Sequence, residues 1–413
     1  MRRVVITGLG TVNALGPDVA TSWPRMLAGE NGIGPIERFD VSDLAVRIGA
    51  MVDWNPEDRF RAPDFRKLDP FTMYALKATE EMVADAGLEL SELPEEERER
   101  IGCIIGTGIG GITGIIHQHL GLLEKGPRRV SPHFIPKIMA NAVSGQVAIA
   151  NGLLGTTFTT SSACASSAHA IGMALLAIRS GEVDLCVTGG AESATTRISI
   201  AGFASAKALS TRNDEPQLAC RPFDKDRDGF VMGEGSGILL FEELEHAKKR
   251  GAKIYAEVKG YGSTDDAFHI TAPKEDGTGP ARAFQLAMKQ AQIDPDTVNY
   301  INAHGTSTHY NDLIETRAIK RTFGDHAKNI AVSSTKSMVG HLLGASSAVE
   351  LVATALSIKD GRVHPTRNHE TPGDECDLDY VPREARELQI DNALSNSLGF
   401  GGHNVSICLG RYA

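Results

Sequence analysis

Short apolar runs of the length of buried strands recur along this chain and alternate with segments of helical pattern. The strand-like runs cover residues 4–7, 102–105, 184–188, 237–241, 254–261, 300–302 and 330–333. The helical segments cover residues 70–86, 168–179, 281–291 and 345–358. The second of these helices is almost wholly apolar, so we expect it to be buried. Strands that alternate with helices predict an α/β fold.

The length of the chain bounds its domain organisation. Its 413 residues are too many for one ordinary core and suit two domains, or one large duplicated unit. Residues 242–253 are charged and have a helical pattern as far as Arg250. They are the best candidate boundary. We therefore predict an N-terminal unit over residues 1–250 and a C-terminal unit over residues 251–413.

Composition excludes some classes of function. The net charge of −10 argues against a nucleic-acid-binding protein, because phosphate binding requires a basic surface. The six cysteines include no C-x-x-C pair, which is typical of free thiols in a reducing compartment. The N-terminus lacks the apolar stretch of a signal peptide, and no run of about 18 apolar residues predicts a membrane span. We expect a soluble, cytoplasmic protein.

Three loop patterns resemble ligand sites, but the residues favour structural roles. Residues 8–13 and 106–111 follow strands and hint at dinucleotide binding. The first lacks the third glycine, because Asn13 occupies its place. The second is a lone match, so close backbone packing is the better interpretation. Residues 224–229 begin like a calcium loop, but Gly235 lies where the bidentate carboxylate should be, so we expect a structural loop.

Cys164 is the candidate nucleophile. It lies among small residues, directly before the apolar helical segment. The N–H groups and dipole at a helix N-terminus favour thiolate over thiol. Taken alone, a buried structural cysteine is the more common case. The cysteine therefore needs support from elsewhere in the sequence.

Two histidine segments provide that support. His304 follows a predicted strand within Asn-Ala-His-Gly-Thr-Ser-Thr, and His341 follows Thr-Lys-Ser-Met-Val-Gly before a predicted helix. Passages of this kind hold side chains rigidly at the mouth of an α/β fold. A metal site would also use cysteine and histidine, but separations of 140 and 37 residues are not of zinc type. We therefore expect no metal.

Residues 395–404 form a glycine-rich segment with a single aromatic side chain. Phe400 lies between Gly399 and Gly401. Flexible glycines on both sides of one bulky residue are suited to a gate. Backbone N–H groups in such a loop can also stabilise an oxyanion.

With these four segments, the chain resembles the β-ketoacyl-acyl-carrier-protein synthases, and the type II elongating enzyme in particular. The similarity extends from Val4 to the final strand and includes residues 128–132, 208–212, 221–224 and 233–235. The resemblance implies a thiolase-type fold. In that fold, two similar halves stack in α-β-α-β-α layers, normally in a homodimer. Here the first half would carry the nucleophile and the second half the two histidines.

The resemblance also implies the roles of individual residues. The catalytic site would consist of Cys164, His304 and His341, with Lys336 and Glu350 as a supporting ion pair and Phe400 as the gate. Thr306 and Thr308 would contact the phosphopantetheine arm, and Ile109 would line the acyl pocket. Basic residues would dock the acidic acyl carrier protein. These are Arg66, Lys67, Arg128, Arg129 and Lys207.

The implied reaction is a decarboxylative Claisen condensation of an acyl group on Cys164 with a malonyl unit. The chemistry agrees with the residues, because thioester exchange needs a thiol nucleophile and decarboxylation generates an enolate. His304 and His341 can stabilise that enolate, provided that each presents an N–H. The reaction requires no redox cofactor or metal.

Six residues depart from the pattern of the family and leave the identity of the substrate open. They are Gln146, His309, Val339, Ser346 and His403, and Ser347 accompanies Ser346 where Ala-Gly is usual. A ketosynthase of a polyketide or specialised lipid pathway is therefore an alternative. A silent partner subunit is disfavoured because Cys164 is present. A degradative thiolase would have a second catalytic cysteine in the C-terminal part. Here the gate loop has His403 instead, and Cys408 lies in the pattern of a terminal strand.

Overall fold

The structure is a computed structural model that describes residues 2–412. The strands are β1 (Val4–Val12), β2 (Gly34–Pro35), β3 (Ile48–Gly49), β4 (Ile101–Gly106), β5 (Thr157–Thr160), β6 (Leu185–Glu192), β7 (Gly235–Glu243), β8 (Ala256–Asp265), β9 (Val298–Asn302), β10 (Ala331–Ser333), β11 (Arg362–Val363), β12 (Arg386–Glu387), β13 (Asn392–Gly399) and β14 (His403–Gly410). The helices are α1 (Val19–Leu27), α2 (Ala62–Lys67), α3 (Pro70–Ala86), α4 (Glu95–Arg98), α5 (Ile112–Lys125), α6 (Phe134–Ile138), α7 (Ala142–Asn151), α8 (Ser166–Ser180), α9 (Arg197–Ser205), α10 (Leu244–Lys249), α11 (Thr278–Ala291), α12 (His309–Phe323), α13 (Lys336–Val339) and α14 (Ser346–Asp360).

The main sheet contains the same strand order twice. Its ten strands run β10-β9-β13-β14-β8-β1-β7-β6-β4-β5. Outward from the centre, the order is β1, β7, β6, β4, β5 in the first half and β8, β14, β13, β9, β10 in the second. In each half these are the first, fifth, fourth, second and third strands of the main sheet in chain order. The halves meet where β1 and β8 pair, with Val5 opposite Glu257 and Ile6 opposite Ala256. The fold is therefore a duplication that the amino-acid sequence does not display plainly.

Helices cover the strands in layers, as the thiolase-type fold predicts. On the outside, α3 packs on the strands of the first half and α11 on those of the second. Between the halves lie α8 and α14, which contact each other and strands of both halves. A Cβ on Gly172 of α8 would lie 2.3 Å from the ring of Tyr261 in β8. The prediction of an α/β fold with α-β-α-β-α layers is confirmed. Most of α8 is buried as expected, but Met173 and Leu176 are exposed by 38% and 37%.

Most predicted elements are present, and the largest difference concerns α10. The helix predicted from residue 242 begins at Leu244, because Glu242 and Glu243 belong to β7. Glu242 is fully buried and paired with Arg250 at 2.7 Å, so its charge does not mark an exposed helix. The polar strands β5 and β13 were not predicted, because their sequences lack an apolar pattern. No helix within residues 2–412 is long and apolar enough to span a membrane.

Glycines of the two dinucleotide-like segments lie in strands β1 and β4 and permit the close backbone packing predicted for them. A Cβ on Gly10 in β1 would lie 1.9 Å from the carbonyl oxygen of Ala78 in α3, and one on Gly106 would lie 2.4 Å from Ser166. Asp224 accepts hydrogen bonds from the backbone N–H groups of Asp226, Glu370 and Thr371. These glycines permit close packing of backbone, and Asp224 fastens its loop to the C-terminal half.

Candidate active site

The residues predicted for catalysis converge because each follows the carboxyl end of a strand. Cys164 follows β5, and His304 follows β9, which pairs in parallel with both β10 and β13. Lys336 and His341 follow β10, while Phe400 follows β13. Ligands of open α/β sheets bind at such carboxyl ends. The site thus combines a cysteine of the first half with histidines of the second.

Cys164 lies two residues before α8, as the sequence predicts. Its side chain is buried, with 8% of the residue exposed, and its Sγ is 3.1 Å from Nε2 of His341. The residue before it, Ala163, has φ 50°, in the left-handed region that side chains rarely adopt. Ser397 Oγ donates to the carbonyl oxygen of Cys164 at 2.9 Å. The candidate nucleophile is therefore held on a strained, hydrogen-bonded turn.

His341 is fixed through its backbone and through its ring. Its N–H donates to the carbonyl of Val231 at 2.7 Å, and its own carbonyl accepts from the N–H of Gly233 at 2.9 Å. At the ring, Nδ1 lies 3.2 Å from the N–H of Leu343 and 2.8 Å from Oγ of Ser346. These contacts aim Nε2 at Cys164.

His304 is held by a different set of partners. The backbone N–H groups of His304 and Gly305 each donate to the buried carboxylate of Glu315 at 2.8 Å. Nδ1 of His304 lies 3.2 Å from Nζ of Lys336, and Lys336 forms a buried ion pair with Glu350. The rings of His304 and His341 meet edge to face, with centroids 5.3 Å apart. Lys336 and Glu350 thus form an ion pair beside His304, and its supporting role stays a prediction.

The hydrogen bonds at Nδ1 determine the tautomer of each histidine. Burial, and then the charge of Lys336, lowers the pKa of both imidazoles well below the usual value, so both rings are neutral. Nδ1 of His304 accepts from the Lys336 ammonium, and Nδ1 of His341 accepts from the Leu343 N–H. A neutral ring whose Nδ1 accepts carries its proton on Nε2. Each histidine can therefore present an N–H donor to the site.

The expectation that the helix N-terminus favours a thiolate at Cys164 is wrong for the resting protein. Burial raises the pKa of this thiol to about 11, while Lys336 and the backbone N–H groups of Phe400 and Cys164 lower it less. Removing the sulfur from water disfavours its charged form more strongly than these groups stabilise it. Cys164 is therefore a thiol at neutral pH.

Phe400 lies in the turn that connects β13 to β14, with 39% of the residue exposed. The glycines after it have φ values of 91° and 82°, which side chains rarely adopt. A Cβ on Gly399 would lie 2.9 Å from the carbonyl oxygen of Ser162, so the turn packs directly on the nucleophile segment. The N–H groups of Phe400 and Cys164 both act on the sulfur. Together they form a candidate oxyanion hole.

Two glutamates of the site, Glu315 and Glu192, were not identified from the sequence, and Ser346 was noted only as a departure from the family pattern. Glu315 holds the backbone of His304, and Ser346 contacts the ring of His341. Glu192, fully buried, accepts from the N–H groups of Gly108 and Gly344 at 2.7 and 3.1 Å. Burial raises the pKa of both glutamates to about 7. The only signal for Glu192 in the sequence was a single glutamate at the end of an apolar strand.

The residues predicted for substrate contact lie around this centre. The hydroxyls of Thr306 and Thr308 are 2.9 Å apart at the start of α12, and Thr306 is nearly buried. Ile109 is 40% exposed, and its N–H donates to Glu192 at 3.2 Å. Glu192 thereby ties the Ile109 loop to Gly344, three residues from His341. The roles of these three residues stay predictions.

The five predicted docking residues are all exposed. In the part of the chain that the structure describes, none of them forms an ion pair with a carboxylate. Contacts run from α2, which contains Arg66 and Lys67, through α6 and α5 to the turn that contains Arg128 and Arg129. Lys207 lies next to α9, whose Phe203 packs on Phe230 beside His341. Four of the five residues therefore occupy neighbouring elements.

Cys164, His304 and His341 are far apart in the sequence but close together in the structure. Candidate ligand atoms of Cys164, His304 and His341 lie within 4.8 Å of one another. That spacing would admit a metal ion. The ammonium of Lys336, 3.2 Å from Nδ1 of His304, opposes a second cation at this place.

The fold and the buried Cys-His-His group define a thiol-dependent condensing enzyme. Comparison with protein families matches residues 1–247 to the N-terminal domain and residues 255–370 to the C-terminal domain of β-ketoacyl synthases. The chain belongs to the β-ketoacyl synthase family.

Similar proteins agree with this assignment. The 3-oxoacyl-[acyl-carrier-protein] synthase 2 of Synechocystis is 52% identical, over 100% of this chain and 98% of the relative. The ishigamide ketosynthase/chain length factor is 36% identical with a TM-score of 0.92, and each chain is covered completely. A type II polyketide ketosynthase in complex with its acyl carrier protein and a hexaketide is 35% identical with a TM-score of 0.91, again with complete coverage of both chains.

Proposed function

We propose that this chain is a 3-oxoacyl-[acyl-carrier-protein] synthase that elongates fatty acyl chains. The observation that carries the proposal is the pair of Nε2–H donors on His304 and His341. Both rings are neutral, and both have Nδ1 occupied by a donor. Two fixed donors beside a nucleophilic sulfur suit a reaction that forms an enolate next to a thioester.

The first half-reaction loads Cys164. Its sulfur attacks the thioester carbonyl of the acyl carrier, and the carrier thiol leaves with the proton that Cys164 loses. The N–H groups of Cys164 and Phe400 stabilise the tetrahedral oxyanion. The acyl group is then covalently bound and the carrier departs.

The second half-reaction forms the carbon–carbon bond. Malonyl carrier loses carbon dioxide, and the Nε2–H groups of His304 and His341 stabilise the enolate oxygen. The enolate carbon attacks the Cys164 thioester, and the Cys164 sulfur leaves to give 3-oxoacyl carrier. Lys336 holds His304, whose pKa is lowered by burial first and then by the positive charge of Lys336, so the ring stays neutral. No electron acceptor or metal is needed for these steps.

Two substitutions separate the half-reactions. Cys164→Gln places an amide where the acyl thioester would lie, so condensation should vanish while decarboxylation of malonyl carrier persists. His304→Ala should lose about 10²–10³ in decarboxylation rate, the effect of removing one oxyanion donor. It should still accept an acyl group on Cys164. Release of carbon dioxide and formation of 3-oxoacyl product are measured side by side.

Either variant can contradict the proposal. A Cys164→Gln protein that still forms 3-oxoacyl product would exclude the covalent mechanism. A His304→Ala protein that releases carbon dioxide at the wild-type rate would exclude His304 as an enolate donor. His326→Ala is the matched control, because His326 bonds to the carbonyl of Val298 at 3.0 Å on the outer side of the second half. It should behave as wild type.

We also propose that the chain forms a homodimer through β5. This strand is at the edge of the main sheet and pairs only with β4. Exposed apolar side chains lie on and before it, with Ile149 exposed by 75%, Leu154 by 50% and Phe158 by 37%. A second copy could continue the sheet across this edge.

Sedimentation velocity tests the dimer. The wild-type protein should sediment at twice the chain mass of 44.1 kDa. A carboxylate at the proposed interface should reduce the species to the monomer, as in Phe158→Asp. The control Leu286→Asp places the same charge on the exposed side of α11 and should leave the dimer intact. A monomeric wild-type protein would contradict this proposal.

Two further proposals concern the pathway and the cellular location. Polyketide ketosynthases share the fold, so a specialised pathway is the second candidate, but sequence identity is greater to the fatty-acid type of synthase. Mass spectrometry of Cys164 after incubation with a panel of acyl carriers distinguishes the two. We propose a cytoplasmic location, supported by six cysteines that are all free and buried.

The division of the chain into two units at residue 250 stays a prediction.

A further inference from the structure

Ser346 contacts the ring of His341 from a position where alanine is usual in the family. It is the first residue of α14 and is buried, with 1% of the residue exposed. Its Oγ lies 2.8 Å from Nδ1 of His341. Among residues 2–412 the structure gives this hydroxyl no other hydrogen-bond partner. A buried hydroxyl directs its proton to an acceptor within reach, so Ser346 donates to Nδ1.

The second donor to the same nitrogen is more distant. The N–H of Leu343 reaches Nδ1 of His341 at 3.2 Å, from a residue with φ 49°. His304, by comparison, has a charged donor at its Nδ1, the ammonium of Lys336. Without Ser346, His341 would rely on one long, neutral hydrogen bond.

We propose that Ser346 is a positioning residue that sets the tautomer and orientation of His341. This inference rests on the proposed function of His341 as an enolate donor. With two donors at Nδ1, the proton of the neutral ring must be on Nε2, which faces Sγ of Cys164 at 3.1 Å. The tautomer with its proton on Nδ1 would leave the buried N–H of Leu343 without an acceptor and offer no donor to the enolate.

The test removes the hydroxyl and then restores it. Ser346→Ala should lower kcat for decarboxylation of malonyl carrier by about 3- to 10-fold, the effect of one net hydrogen bond on an equilibrium. KM should not change, because Ser346 does not touch the substrate. Ser346→Thr, which keeps the hydroxyl, should restore kcat. Ser357→Ala is the matched control, since Ser357 is a buried serine of the same helix whose hydroxyl has no hydrogen-bond partner.

A spectroscopic measurement reports the tautomer directly. In protein labelled with ¹⁵N-histidine, the resonances of His341 are assigned by their loss in His341→Asn. The wild-type spectrum should show a bare Nδ1 and a protonated Nε2, and Ser346→Ala should show exchange between the two tautomers. A change in packing alone would not alter the protonation of these nitrogens.

Several results would overturn the role of Ser346. They are wild-type kcat in Ser346→Ala, failure of Ser346→Thr to restore kcat, and a wild-type spectrum with Nδ1 protonated. The wild-type spectrum alone shows which nitrogen of His341 carries the proton, so the proposal can be tested even if Ser346→Ala does not fold. Failure of the proposed function has a different signature, because His341→Asn would then decarboxylate malonyl carrier at the wild-type rate.

Discussion

Strained residues border the catalytic side chains of this site. Ala163, Ser307 and Leu343 have φ values of 50°, 69° and 49°, and none of them is glycine. Each such conformation costs on the order of 1–3 kcal/mol and persists only where the surroundings enforce it. Ala163 precedes the nucleophile, and Leu343 directs its N–H at His341. The surroundings that enforce these conformations therefore hold the N–H of Leu343 and the sulfur of Cys164 in place before substrate binds.

Burial of Cys164 predicts how its reactivity changes with pH. Its pKa is about 11, so the thiolate fraction rises about tenfold for each pH unit below that value. Alkylation of Cys164 by iodoacetamide should therefore accelerate about tenfold per unit between pH 7 and pH 9. Mass spectrometry of the Cys164 peptide measures the rate.

Cys220 is the internal control for this measurement. It is a fully buried thiol and should stay unmodified while the protein is folded. A rate at Cys164 that is already constant above pH 7 would show that the helix N-terminus and Lys336 outweigh burial.

At the scale of elements, the two central helices organise the site. α8 begins two residues after Cys164, and α14 begins five residues after His341. Both helices pack on strands of both halves, so the first turns of both lie at the centre of the molecule. The connection from β13 to β14, residues 400–402, lies beside the nucleophile segment. A helix start fixes position, while the glycines of this turn permit movement.

The turn around Phe400 is expected to act as a gate. Phe400→Ala should leave the fold intact, because the side chain is partly exposed. It should alter loading of Cys164, with the largest effect on long acyl chains that must pass the ring. Loading rates are measured by mass spectrometry across a series of chain lengths.

The control for the gate is Leu286→Ala, an exposed apolar residue on α11, which should load every chain as wild type. Phe400→Ala with wild-type loading at all lengths would contradict the gate.

At the scale of the whole molecule, neither half contains a complete site. One hydrophobic cluster includes Ile171 and Leu239 of the first half together with Val352 and Ile407 of the second. The first half supplies the cysteine, and the second supplies both histidines and the ion pair of Lys336 with Glu350. Removing one partner of a buried ion pair typically costs about 3–5 kcal/mol. Catalysis thus depends on the contact between halves that brings Cys164 within 3.1 Å of His341, whereas the ion pair stabilises the second half itself.

Recognition of an acidic carrier by a chain of net charge −10 requires a local basic surface. Reversing Arg128 and Arg129 to Glu should raise the apparent KM for carrier substrates about tenfold at low salt and weaken its salt dependence. The value of kcat should change little, since these residues are remote from the sulfur. Initial rates are measured over a range of salt concentrations.

The matched control reverses Arg321 and Lys328, exposed residues of the second half, and changes the net charge by the same amount. It should leave KM unchanged. An unaltered KM in the Arg128 and Arg129 variant would remove both residues from the docking surface.

Local patterns in the sequence determined a large part of the architecture. Pro70 and Gly87 border α3 as predicted, because proline suits the first turn of a helix and Gly87, at φ 63°, ends it. The apolar pattern of residues 168–179 identified a helix that is mostly buried, although Met173 and Leu176 are partly exposed. Small residues around Cys164 and glycines around Phe400 predicted the candidate nucleophile segment and the candidate gate. These features depend on neighbours in the chain, so the sequence alone reveals them.

Only the tertiary structure decided which distant groups meet. Glu315, Glu192 and Ser346 gain their roles from contacts across 11, 84 and 5 residues, and no local pattern encodes such pairs. The state of Cys164 was predicted wrongly for the same reason. A helix N-terminus is visible in the sequence, but the depth of burial that outweighs it is not. Ionisation depends on the solvent that the whole fold excludes, and that exclusion exists only once both halves have packed.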